Sequence, residues 1–169
     1  MIIDLASVGV SPKPIEEKFS AGQLDLDDEG ELLGDATFSG EMFRNGDKVH
    51  VRGTIRADVE VACTRCLEPV VHHVDFAFDD VFIDAANESR EDEIEIQLDQ
   101  MDESLVIGGQ VDLADAIREQ IILELPDTPL CREDCKGLCP QCGENRNLID
   151  CKCESDDIDP RWAALKNLN

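Results

Sequence analysis

Aromatic side chains are scarce in this 169-residue chain: they make up 4% of it, with no tyrosine and one tryptophan. An aliphatic core is therefore expected. Positive charge is scarce too. Lys and Arg number 15 against 39 Asp and Glu, giving a net charge of −24. This argues against a general binder of phosphate backbones, whose affinity comes from many Lys and Arg contacts, and against adhesion to anionic membranes. No apolar run approaches the ~20 residues of a membrane span. The start, MIIDLASVGV, is broken by Asp4 and has no basic stretch ahead of an apolar one, so no signal peptide is expected. A cytoplasmic location follows as the expectation, with no membrane partner. Histidines number three. His50 falls on the wet face of a predicted strand, while adjacent His72 and His73 point opposite ways, so none resembles a catalytic base. There is no glycine-rich phosphate loop and no nucleophile motif, and no enzyme activity is expected.

What is present is mostly strand signal. Ile2–Ala6 and Ile15–Ser20 read as short strands. Ala36, Phe38, Gly40 and Met42 share one face of a longer one, and Asn45-Gly46 supplies a two-residue hairpin turn. Val49, Val51, Gly53, Ile55, Ala57, Val59 and Val61 then follow at strict period two, as a half-buried strand requires. Val70–Phe78 gives the next strand. Residues 79–103 hold eleven carboxylates against one arginine, Arg90. Their middle reads as a solvated loop, with Ile94, Ile96 and Leu98 as an edge strand. A helix is predicted over 112–125, with Asp112 as N-cap, Asp115 completing a capping box and Pro126 ending it. A short second helix is predicted from Asp159-Pro160. The fold class is α+β: an antiparallel sheet of about five to seven strands, curled toward a barrel, one main covering helix, and a C-terminal zinc-binding segment. Residues 1–128 form the β-rich domain and 129–169 the cysteine-rich segment with its short helix.

The eight cysteines carry the chemistry. They stand at Cys63, Cys66, Cys131, Cys135, Cys139, Cys142, Cys151 and Cys153. In a cytoplasmic protein disulfides are rare, and this spacing points to metal. Cys139-Pro140-Gln141-Cys142-Gly143 has the form of a zinc knuckle, whose tight turn points both sulfurs inward. Cys63-Thr64-Arg65-Cys66 lies between two predicted strands, where a hairpin tip presents the same geometry. Eight thiolates divide into two tetrahedral sites. Cys139, Cys142, Cys151 and Cys153 are close in sequence and close one site with little loop entropy. Cys131 and Cys135 then remain for Cys63 and Cys66; a partition with Cys135 in the local site is the alternative. Zinc is the expected cofactor, as one or two ions in closed structural sites.

Longer blocks carry a resemblance. Cys135-Lys136-Gly137-Leu138-Cys139-Pro140-Gln141-Cys142-Gly143-Glu144-Asn145-Arg146-Asn147-Leu148 resembles the C-terminal signature of the bacterial YceD family, described as large ribosomal RNA subunit accumulation proteins. Cys63-Thr64-Arg65-Cys66-Leu67-Glu68-Pro69, Val111-Asp112-Leu113, Leu123-Glu124-Leu125-Pro126 and Asp159-Pro160-Arg161-Trp162-Ala163-Ala164-Leu165 match in the right order. Arg146 departs from the family's pattern, which has Leu there. The resemblance implies a non-enzymatic role in the synthesis, processing or stability of large-subunit ribosomal RNA. It supplies no catalytic residue.

Two surfaces are candidates for that role. Lys48, Arg52 and Arg56 share the wet face of one predicted strand, with Arg65 near its end, and form a basic strip suited to large-subunit rRNA or a pre-ribosomal particle. Alternatively the acidic stretch 79–103 docks a basic ribosomal protein, making the chain an acidic, zinc-stabilised protein-binding module.

Overall fold

The computed structural model describes residues 1–87 and 103–153. The expected edge strand at Ile94–Leu98 and the helix from Asp159 lie outside the described residues. Among those described, the strands are β1 (Ile2–Asp4), β2 (Lys13–Phe19), β3 (Glu31–Leu32), β4 (Ala36–Asn45), β5 (Lys48–Ala62), β6 (Pro69–Asp84), β7 (Glu103–Val106) and β8 (Gln110–Asp112). One α-helix, α1 (Leu113–Glu124), follows. The main sheet runs β2-β4-β5-β6-β7, with β3 added beside the far end of β5, and β1 pairs with β8 in a separate ribbon.

Period-two patterning sets the faces of β5. Val49, Val51, Ile55 and Val59 are fully buried, whereas Arg52 and Arg56 point outward. The turn before β5 sits one residue later than expected. Asn45 still pairs with Lys48, so the two-residue turn is Gly46-Asp47. Gly46 takes φ 66°, as the leading glycine of a primed turn does.

The expected barrel does not form. Among the described residues β2 and β7 are unpaired edges, and β7 runs parallel to β6 rather than antiparallel. The separation of β6 from β7 in sequence is the physical reason. Residues 85–102 lie between them, long enough for the crossover of a dozen or more residues that a parallel pair requires. The core is also less aliphatic than the composition suggests. Phe19, Phe38, Phe78 and Phe82 are buried, and Phe38 meets Phe78 edge to face at 5.6 Å.

Helix α1 covers the sheet with Leu113, Ala114, Ile117 and Ile121. Burying each larger side chain contributes about 1.5–3 kcal/mol. Asp112 caps the helix, accepting from the Ala114 amide at 3.0 Å. The reciprocal bond from the Asp112 amide to the Asp115 carboxylate is not among those the described residues make; beside it, the Leu113 amide donates to the Met1 carbonyl at 2.9 Å. No helix among the described residues is long and apolar enough to cross a membrane. After Leu125, residues 126–153 contain no helix or strand, only an isolated bridge between Leu138 and Asn145.

Candidate metal centres

The β5–β6 hairpin ends in Cys63-Thr64-Arg65-Cys66. The Cys63 amide donates to the Glu68 carbonyl at 2.9 Å, and the Leu67 amide donates back to the Cys63 carbonyl at 2.9 Å. This closed turn forces Leu67 into the left-handed region, at φ 62°. The segment at 139–144 repeats the arrangement. There the Cys139 amide donates to the Glu144 carbonyl at 2.8 Å, and Gly143, at φ 74°, donates to the Cys139 carbonyl at 2.9 Å. Each knuckle turns backbone amides toward its first sulfur: those of Arg65 and Cys66 toward Cys63, those of Gln141 and Cys142 toward Cys139.

The described sulfurs fall into two groups of four. Cys63, Cys66, Cys131 and Cys135 form the first; Cys139, Cys142, Cys151 and Cys153 form the second. In each, all four sulfurs lie within 4.8 Å of one another. A tetrahedral ion with metal–sulfur bonds near 2.3 Å places its ligands about 3.8 Å apart. The sulfurs of Cys63 and Cys135 are 3.9 Å apart, and those of Cys66 and Cys131 are 3.6 Å apart. These distances are far beyond a disulfide's ~2.05 Å and close to the edge of that tetrahedron. The groups can therefore hold metal ions. Four-cysteine sites leave no open coordination position and act structurally.

Their electrostatics agree. The Cys63 thiol is lowered to about 6, first by the Cys131 amide and then by the amides of its own knuckle, against the opposing effect of burial. Cys139 is also lowered to about 6, by the amides of Cys142 and Gln141. Cys131 is pushed up to about 12 by desolvation of its sulfur and by the three neighbouring thiols. Cys153 is pushed up to about 12, first by Cys142. Four sulfurs this close cannot all ionise unaided; a dication among them removes that penalty.

The first centre is the more enclosed. Cys63, Cys66 and Cys135 are buried, and Val70, Leu130 and Leu138 pack around them as a small core that touches the main one through Val70. Arg65 serves this centre: its guanidinium donates to the Cys135 carbonyl at 2.9 Å. The second centre is stitched to the first by residues that cysteine spacing alone does not reveal. The Leu138 amide donates to the Arg65 carbonyl at 3.0 Å. Asn147 donates to the Cys135 sulfur at 3.2 Å and accepts from the Lys136 amide at 2.8 Å. Asn145 donates to Glu68 at 3.2 Å. A readable signal for the twin turns was present: Cys-x-x-Cys-x-Glu occurs at both 63–68 and 139–144. Arg146 is exposed, so its cation meets water.

The basic strip is a row of ion pairs. Lys48 pairs with Glu103 of β7. Arg52 pairs with Glu41 of β4 at 2.6 Å and lies over the Phe43 ring. Arg56 pairs with Asp75 of β6 at 3.1 Å. His50 is half-buried and stacks on Phe43 with centroids 4.9 Å apart. His73 pairs with Asp58 at 2.7 Å. Of the expected acidic docking surface 79–103, residues 88–102 lie outside the described residues.

Comparison with known proteins identifies the family. An uncharacterized protein of Mycobacterium tuberculosis H37Rv is 34% identical over 175 residues, covering 98% of this chain and 79% of its own length. YlbN of Bacillus subtilis is 28% identical over 116 residues, covering 68% of this chain and 63% of its own. A chloroplastic protein of Arabidopsis thaliana, named as large ribosomal RNA subunit accumulation protein YCED homolog 1, is 36% identical over 59 residues, 35% of this chain and 18% of its own. No solved structure matches the chain significantly. The model of the family described as large ribosomal RNA subunit accumulation protein YceD matches residues 51–169, a span that includes both cysteine knuckles, and the chain belongs to that family.

Proposed function

We propose that this protein is a non-enzymatic, zinc-stabilised cytoplasmic factor that supports accumulation of large-subunit ribosomal RNA, and that it does so by holding a basic ribosomal protein rather than by gripping RNA. The family description supports the first part. Zinc is the metal that best suits closed four-thiolate tetrahedra. One observation carries the choice of partner. Lys48, Arg52 and Arg56, the cations best placed to meet phosphates, each pair with a carboxylate on another strand of the sheet. RNA would have to displace those carboxylates on a body of net charge −24. A basic protein meets no such competition, and complementary charge speeds its capture.

The test is a salt titration of the zinc-loaded protein against a large-subunit rRNA fragment and against purified basic large-subunit ribosomal proteins, between about 50 and 200 mM salt. Ribosomal-protein binding is expected, with rRNA binding absent or far weaker. The triple variant Lys48→Ala, Arg52→Ala, Arg56→Ala should leave protein binding intact or slightly tighter. Tight rRNA binding whose salt slope drops by ~2–3 in that variant would refute the reading.

A further inference from the structure

A groove of about 500 Å³ lies between the C-terminal end of α1, the end of β5 and the turn at residues 27–29. Its apolar lining comes from Val61 of β5, Ile122 and Leu125 at the end of α1, and Pro126 and Pro129 beyond it. Leu123 stands at its edge with 75% of its surface exposed, large for a leucine held on a regular helix. Asp28, Glu29 and Asp127 complete the lining. All three are exposed, and none pairs with a cation among the described residues. Among the described residues no lysine, arginine or histidine lines the groove. The contrast with the wet face of β5 is direct, because there each cation already has its acid.

The walls are fixed. Arg118 of α1 pairs with Asp27 and donates to the Asp25 carbonyl, which ties the acidic turn to the helix. On the other side, both the amide and the hydroxyl of Thr64 donate to the Pro129 carbonyl, at 2.9 and 3.2 Å. Thr64 lies inside the first cysteine knuckle, so that wall is bolted to the first metal centre. A preformed groove costs a ligand little reorganisation. An apolar floor edged by acids of one sign selects a ligand with apolar side chains flanked by cations.

We propose that this groove is the docking site for a basic segment of the partner protein, in which an apolar side chain sits over Val61, Ile122 and Pro126 and flanking Lys or Arg side chains meet Asp28, Glu29 and Asp127. The proposal rests on the reading that the protein holds a basic ribosomal protein, and it names where. Charge complementarity decides the occupant. Both the groove rim and the whole body are acidic, so a second copy of this chain would bring like charge to like.

The test measures affinity for the purified basic large-subunit ribosomal protein that binds best, using full-length zinc-loaded protein. The variant Asp28→Lys, Glu29→Lys, Asp127→Lys should bind about tenfold more weakly or worse, since three exposed charge contacts are reversed. A control with the same change in net charge, Glu16→Lys, Asp35→Lys, Asp47→Lys, should lose less than about threefold. Leu123→Ser should weaken binding at high salt as much as at low salt, because an apolar contact is not screened. Thermal melts confirm that each variant is folded. Equal loss in the groove and control variants would overturn the groove while leaving the basic-partner reading standing. No binding by the wild-type protein would sink both. A dimer in sedimentation that Leu123→Glu dissolves would assign the groove to a second copy and overturn the proposal. A shift of Trp162 emission on Leu123→Glu in the free protein would assign it to the chain's own C-terminal segment and overturn the proposal as well.

Discussion

Gly137 and Gly143 both adopt left-handed backbone, at φ 71° and 74°, yet alanine should cost very different amounts at the two sites. A Cβ at Gly143 would meet nothing within 4 Å, so only the backbone conformation opposes it. Left-handed strain of about 1–2 kcal/mol, less roughly 0.4–1 kcal/mol gained because alanine restricts the unfolded chain, leaves a loss near 1 kcal/mol. A Cβ at Gly137 would sit 2.8 Å from the Arg65 carbonyl oxygen. That oxygen belongs to the first knuckle's backbone and already accepts from the Leu138 amide, so it cannot swing away. Overpacking adds about 1–3 kcal/mol, for roughly 2–4 kcal/mol in all. At this chain length 1 kcal/mol moves the melting temperature by about 2–4 °C. Gly143→Ala should therefore melt about 3 °C below wild type and Gly137→Ala about 6–12 °C below. Free zinc must be buffered at one value, because a bound metal adds its own concentration-dependent stability. Equal losses at the two glycines would show that residue 137 does not press on the Arg65 backbone, and the docking of one cysteine centre on the other would need another explanation. The mirror experiment is Leu67→Gly: Leu67 holds the same left-handed position in the first knuckle with 65% of its surface exposed, so relief of strain should offset the entropic cost and leave stability unchanged or higher.

Elemental analysis of protein purified without chelating tags should find about two zinc ions per chain, one for each four-cysteine site; zinc-free protein with eight titratable thiols would refute both centres. Asp112→Ala should cost about 1 kcal/mol as a lost N-cap. The Met1 ammonium, then the Ala114 amide, hold the Asp112 carboxyl below its ordinary value. Its contribution is thus present above about pH 4 and disappears as pH falls through the lower folded value, so acid melts of the wild type and Asp112→Ala should converge; a gap that persists at pH 2 would contradict this. Burial pushes Asp80 up, and one of its oxygens accepts from both Val81 and Ser104. The amide oxygen of an asparagine in its place can take both bonds, so Asp80→Asn should stabilise the protein at pH 7, and the advantage should shrink as pH falls through the raised folded value. If Asp80→Asn is less stable than wild type at pH 7, the charge is favourable there.

How much of this was legible in the sequence depended on whether the signal was local. The alternation from Val49 to Val61 and the Asp112 cap with Pro126 beyond it located β5 and α1, because both depend on neighbours along the chain. The parallel β6–β7 pair did not show, since strand direction is settled by where the chain returns after residue 84 and no short pattern encodes that. The pairing of Lys48, Arg52 and Arg56 was also hidden. Their acids, Glu103, Glu41 and Asp75, come from three other strands: sheet register sets Glu41 opposite Arg52 and Asp75 opposite Arg56, while Glu103 reaches Lys48 from β7, across β6. Cysteine spacing located the knuckles but not Asn147, whose bond to the Cys135 sulfur depends on how the second centre docks on the first.

The two centres should fail differently when a ligand is removed. Residues 126–153 bury little beyond Cys135, Gly137 and Cys139, too small a core to order the segment without metal. The first centre must join residues 65 apart in sequence, Cys66 and Cys131, and closing such a loop costs on the order of 4 kcal/mol. The sheet and α1 have already met most of that cost by placing Pro129 against Thr64. The second centre closes a short loop, but among the described residues its position is fixed by its contacts with the first, through Gly137, Asn145 and Asn147. Dependence therefore runs one way. Cys139→Ser should loosen residues 136–153 and spare the first knuckle, whereas Cys63→Ser should loosen the whole stretch from 126 to 153 together with the Pro129 wall of the groove. Hydrogen exchange of the two variants distinguishes these patterns, with α1 residues such as Ile117 and Ile121 protected in both. If Cys139→Ser exposes the amides of 63–68 as fully as Cys63→Ser does, the two centres form one cooperative unit and the ordered dependence argued from their contacts is wrong.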